Sequence, residues 1–264
     1  MTKEDDKRHR YALMIGAHRD EWTNFGRTQF KKPFDKDRSQ VRAIFADTST
    51  PDEATKRINS YFKGPARPGW MDATKTVWLE TGKATITYMH DYLTGGKLYY
   101  TVVVKDPAED ASQQAWIDTV KKKISTSFQG KIAGITDQTE ATVRKTIADG
   151  VANGDGNSTI GQAVDNILKG SWPGRGETIA RTEVNSSMNF STLNDALFAA
   201  PDLQKVWATT GETNVRAWHV DADDQHRDQD SPFDVMDEQL DCPGDDANGS
   251  GANVINCACC LLFE

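Results

Sequence analysis

Apolar residues recur at helical spacing along most of the chain. Tyr11, Met14, Ile15, His18, Trp22 and Phe25 fall at i, i+3, i+4, i+7, i+11 and i+14, which predicts one amphipathic helix over 8–30. Val41, Ile44 and Phe45 begin a second. Thr50-Pro51-Asp52-Glu53 is a helix start: Thr50 can cap, Pro51 suits the first helical position, and Glu53 completes a capping box. Ile58, Tyr61 and Phe62 continue that helix. Gly64-Pro65-Ala66-Arg67-Pro68-Gly69 breaks it, and a longer helix follows over 72–93, weakened by Gly82. Leu98 to Val104 is strand-like, with Tyr99 and Tyr100 read as packed residues because no basic groove for stacked bases surrounds them. Helical spacing returns with Trp116, Val120 and Ile124, and again with Val143, Ile147 and Val151.

A Gly- and Asn-rich loop at 150–156 precedes a helix capped by Ser158 or Thr159 and striped by Ile160, Val164, Ile167 and Leu168. Gly170-Ser171-Trp172-Pro173-Gly174-Arg175-Gly176 reads as a turn. It has neither the Lys-Ser/Thr pair nor the preceding strand of a phosphate loop. The next helix, about 177–199, is polar for a core element, with Arg181, Thr182, Glu183, Asn185, Asn189 and Asn194 among its apolar residues. That content predicts packing on other polar surfaces or on the start of a C-terminal module. Lys205 to Thr210 and Val215 to Val220 are both strand-like, and the turn between them predicts a β-hairpin. The fold class is therefore α+β: a mainly helical portion, 1–170, and a small C-terminal module, 171–264.

Composition narrows the function. The 264 residues carry a formal net charge of −8, distributed unevenly. Residues 1–50 hold 11 Lys/Arg against 8 Asp/Glu, and residues 211–264 hold 2 against 13. The acidic end would repel nucleic acid, whereas the basic start could face it or an acidic partner. No apolar run is long enough to span a bilayer, and the first residues show no signal core, so an intracellular, soluble product is expected. His18, on an apolar stripe, reads as a boundary histidine.

All four cysteines, Cys242, Cys257, Cys259 and Cys260, lie in the last sixty residues with His219 and His226. In a cytosolic setting, thiols or metal ligands are expected over disulfides. Cys257 and Cys259 are two apart, so an extended chain aims both thiols the same way. With a histidine they supply three tetrahedral ligands for zinc, and His226, Cys242, Cys260 or an Asp is left for the fourth position. The expected metal set is His219, Cys257, Cys259 and Cys242. Asp221-Ala222-Asp223-Asp224-Gln225-His226 fails the EF-hand template, because His226 replaces the turn glycine and Pro232 the bidentate Glu. No nucleophile elbow, H-E-x-x-H helix or zinc-deaminase motif is present.

The ordered series Ile179-Ala180-Arg181-Thr182-Glu183-Val184, Lys205-Val206-Trp207-Ala208-Thr209, Val215-Arg216-Ala217-Trp218-His219, Ser231-Pro232-Phe233, Pro243 and Asn256-Cys257-Ala258-Cys259 resembles the phage Mu F-like minor head proteins, the head morphogenesis family of tailed phages. The resemblance covers roughly 124–264. Ala258 stands where the family usually has Arg, the loop after His219 is Asp-rich where Gly is usual, and Cys260 is additional. The resemblance implies a non-enzymatic minor capsid protein of a bacteriophage virion, made in the host cytoplasm and placed near the portal vertex. It would act in procapsid assembly, DNA packaging or DNA delivery. Its implied partners are the portal, the major capsid or scaffold protein and packaged DNA, with no membrane. His219, Cys257 and Cys259 would then form a structural zinc cluster. Two other readings stand beside it: a metal-dependent nuclease or hydrolase built on His219, His226 and the Asp cluster at 221–224, and a DNA-binding ejection protein using the basic start.

Overall fold

A computed structural model describes residues 3–93, 114–120, 122–123, 128–210 and 215–264, with side chains from residue 12 onward except those of 90–93. The strand expected at 98–104 lies outside the described residues.

The helices run longer than their sequence signals. The two helices expected before residue 46 are one, α1 (Lys3–Ala46). Helix α2 (Pro51–Lys63) starts as predicted: the Thr50 hydroxyl accepts from the Glu53 amide, and the Glu53 carboxylate reaches back to the Ser49 amide. The break after it is shorter than expected, since α3 already begins at Arg67 (Arg67–Leu93). Residues 114–120 are helical. Helix α4 is Phe128–Ala152, and α5 (Asn157–Ala199) runs unbroken through the turn expected at 170–176 and across the boundary expected after residue 170.

Two compact units form, neither from one contiguous segment: residues 1–26, 77–122 and 178–264 make the first, and 27–76 with 123–177 the second. The second is helical, around Phe30, Phe34, Ile44, Phe62, Trp70 and Ile147. Its core holds a buried carboxylate, Asp37, which accepts from the Tyr61 hydroxyl and the Trp70 indole N–H, each at 2.7 Å. Burial pushes the Asp37 pKa up, against the lowering effect of those two hydrogen bonds. Arg38 makes a bidentate pair with Asp165 at 2.7 Å for both contacts, which depresses the Asp165 pKa. The segment read as a glycine turn is anchored here: Trp172 stacks on Phe34, and Arg175 donates to the Ile135 carbonyl at 2.6 Å. Those anchors hold Gly170, Gly174 and Gly176 helical despite their low propensity.

In the first unit, the buried line on α1 runs through Ala12, Ile15, Arg19, Thr23 and Gly26, while Trp22 and Phe25 are only half-buried. Gly26 is why the line shifts: a Cβ there would sit 3.2 Å from the Ala180 Cβ, so α1 and α5 pack closely at this point. Gly82 on α3 is covered by the Trp116 ring, and its missing side chain is what leaves room for the indole. His18 is a boundary residue, stacked on Tyr88 with ring centroids 5.0 Å apart.

The C-terminal part of this unit is a three-stranded antiparallel sheet in the order β2 (His226–Arg227), β1 (Lys205–Ala208), β5 (Cys260–Phe263), with a two-stranded ribbon, β3 (Phe233–Val235) and β4 (Glu238–Leu240). The expected hairpin is not formed. Its first run is β1, but β1 pairs with β2 and β5, and the second run becomes a short helix, α6 (Ala217–Asp221). Another short helix, α7 (Gly251–Val254), precedes the cysteines.

Candidate metal centre

His219 is placed by α6. Its Nδ1 lies 3.4 Å from Cys259 Sγ and 3.7 Å from Cys257 Sγ. The three ligand atoms lie within 4.8 Å of one another, and all three residues are buried. Zinc bond lengths of 2.3 Å to sulfur and 2.0–2.1 Å to nitrogen, at tetrahedral angles, put N and S about 3.6 Å apart. The two observed separations bracket that value, so the donor set fits one tetrahedral ion.

The imidazole is oriented from behind. Its Nε2 is 3.1 Å from the Asn253 amide oxygen, which also accepts from the Trp218 indole N–H at 2.7 Å. An oxygen there requires a proton on Nε2 and leaves the Nδ1 lone pair facing the thiols, the tautomer a metal needs. Asn253 is fully buried and donates to a Glu238 carboxylate oxygen at 2.7 Å. The same oxygen accepts from the Ser250 amide, and these bonds depress the Glu238 pKa. Sequence reading missed Asn253 and Glu238. Neither type is distinctive, and they sit 34 and 19 residues from His219.

Local backbone geometry aims the thiols. Asn256 has φ 57°, a left-handed conformation that Asn tolerates, and its amide donates to the Thr182 hydroxyl on α5 at 2.9 Å. Arg216, just before α6, donates to the Ile255 carbonyl at 2.6 Å. The Cys259 thiol hydrogen-bonds Cys257. This bond, aided by His219, holds Cys257 well below the ordinary thiol range and pushes Cys259 up. Metal binding would displace the protons held among the two thiols and the imidazole, since thiolate and neutral imidazole are the ligand forms.

The other expected ligands are elsewhere. Cys242 belongs to the same buried cluster but not to the ligand group. Its segment is tied down by the fully buried Lys205, whose ammonium donates to the Asp241 carbonyl at 2.8 Å and lies over the Phe233 ring. Burial lowers the Lys205 pKa. Cys260 points away from the thiol pair, because side chains alternate where Cys257, Cys259, Leu261 and Phe263 enter the core. Burial pushes its pKa up to about 12. His226 is exposed on β2, 3.2 Å from Asp224, and Asp223 accepts from the Thr209 amide. The residues of the alternative hydrolase site are thus not brought to His219.

Helix α5 holds the cysteine segment in place. In β5, the reciprocal bonds between Gln204 and Glu264 set the hydrogen-bonding phase with β1, so the Leu261 amide faces the edge away from β1. Asn189 fills that edge: its Oδ1 accepts from Leu261 N at 2.8 Å, and its Nδ2 donates to the Cys259 carbonyl at 3.1 Å. Arg19 donates to the Ala258 carbonyl at 2.7 Å. The polar face of α5 therefore packs on the last residues of the C-terminal module, where packing on other polar surfaces or on the module's start was expected.

No family model, no curated protein and no solved structure matches the chain. Among the described residues, no helix is long and apolar enough to cross a membrane.

Proposed function

We propose that this chain is a minor capsid protein of a tailed bacteriophage, acting in head assembly, DNA packaging or DNA delivery near the portal, with a zinc-stapled C-terminal module. The observation that supports this reading is convergence. Thr182, Trp207, Arg216, His219, Phe233, Asn256, Cys257 and Cys259 are scattered over nearly eighty residues, yet they meet in one buried cluster and its immediate anchors. Trp207 packs edge-on against both His219 and Phe233. A set that is buried and mutually bonded supports a role in folding.

The test is quantitative mass spectrometry of purified procapsids and mature heads from the phage that encodes the chain. A few copies per head, co-purifying with the portal, are expected. A chain absent from both particles would overturn the proposal.

A further inference from the structure

The metal centre has three protein ligands among the described residues, and tetrahedral zinc takes four. The two thiols that might have completed it are turned away or tied down, as described above. Beside the centre lies a small cavity lined by Val215, Arg216, His219, Asn256, Ala258 and Cys259, two of them ligand residues. The space in it open to water is about 10 Å³, at the lower limit for holding a single molecule. Of these residues, Arg216 is held by its guanidinium, which donates to the Ile255 carbonyl.

We infer that the fourth position of the metal is held by an exchangeable water or hydroxide, replaceable by a small monodentate anion. The inference rests on the metal-centre reading and changes its character. A closed structural site would have four protein donors, whereas this one keeps a single solvent-held position. The cavity is too small for a phosphodiester or a peptide. Its ligand class is therefore water, hydroxide or a monatomic anion of similar size.

Two measurements on the full chain decide it. X-ray absorption at the zinc edge is expected to give two sulfur and two nitrogen or oxygen neighbours. In the cobalt-substituted protein, fluoride, an anion no larger than water, is expected to shift the visible d–d bands saturably, with a 1:1 stoichiometry. Three sulfur neighbours would overturn the inference, since a further cysteine would then close the site. Two sulfurs with d–d bands unmoved by fluoride would overturn it as well, because the fourth donor would be a fixed protein group. A chain that takes up neither zinc nor cobalt would instead refute the metal-centre reading itself.

Discussion

Replacing Asn189 by Leu is the sharpest test of how the C-terminal segment is held. The side chains are similar in size, so packing volume is nearly kept. What goes is the reciprocal pair with the Leu261 amide and the Cys259 carbonyl, at 2.8 and 3.1 Å. Both backbone groups face the edge of β5 away from β1, where no strand lies among the described residues, and Asn189 and Leu261 are buried. Leaving a buried polar group unsatisfied costs about 1–3 kcal/mol, so two of them cost roughly 2–6 kcal/mol. Set against a typical domain stability of roughly 5–15 kcal/mol, that is enough to unfold the module or nearly so. Asn189→Ala should cost less, because the vacated space admits water to both groups. The assay is urea unfolding followed by tryptophan fluorescence, with hydrogen exchange at the Leu261 amide as the local probe. If Asn189→Leu unfolds within about 0.5 kcal/mol of wild type, the range of an inconsequential surface change, the bracket reasoning is wrong.

Stripping the metal with a chelator is expected to lower the thermal midpoint, and His219→Ala or the Cys257→Ser/Cys259→Ser pair should abolish both metal uptake and the chelator's effect; melting indifferent to chelator and variants alike would count against the staple. Asn253→Ala, which frees the imidazole to take the wrong tautomer, should weaken metal affinity by roughly 10- to 100-fold, read by competition with a chromophoric chelator. Asp37→Asn tests the buried carboxyl. Its folded pKa is raised above the ordinary 3.8, so its contribution to stability is complete below that value and is lost as pH rises through the folded pKa. Between pH 4 and 8 the wild type should therefore lose stability relative to the variant, whose Tyr61 hydroxyl can turn to accept from the new amide; parallel melting profiles would contradict this. Gly82→Ala should destabilise despite alanine's better helix propensity, by about 1–3 kcal/mol, because the added methyl meets the Trp116 ring, and a more stable variant would show that the ring has room to move.

Residue type and local spacing made much of this legible. The Thr50 cap follows from neighbours in sequence, the loop expected at 150–156 is there but shorter because the helix before it runs to Ala152, and the grouping of His219 with Cys257 and Cys259 follows from residue type. Failures came where distant contacts decide. Val215 to Val220 alternates like a strand, but Trp218 and His219 both donate to the single oxygen of Asn253. Consecutive strand residues point to opposite faces and cannot share one acceptor, whereas neighbours on a helix can. The glycines at 170–176 read as a turn because nothing local reveals that Phe34 and Ile135 lie in wait for Trp172 and Arg175. Cys242 looked like a ligand because its type fits, and only the tertiary hold of Lys205 on Asp241 shows otherwise.

The interleaving of the two units bears on how the chain is made. Residues 27–177 contain every part of the second unit, so it can close while synthesis continues. The first unit cannot, because Arg19 on α1 waits for the carbonyl of Ala258. At about 5–20 residues per second, that gap leaves the Arg19 guanidinium without the Ala258 carbonyl for roughly ten to fifty seconds. A nascent chain arrested before residue 257 would carry one finished unit and one still lacking both β5 and the cysteine pair.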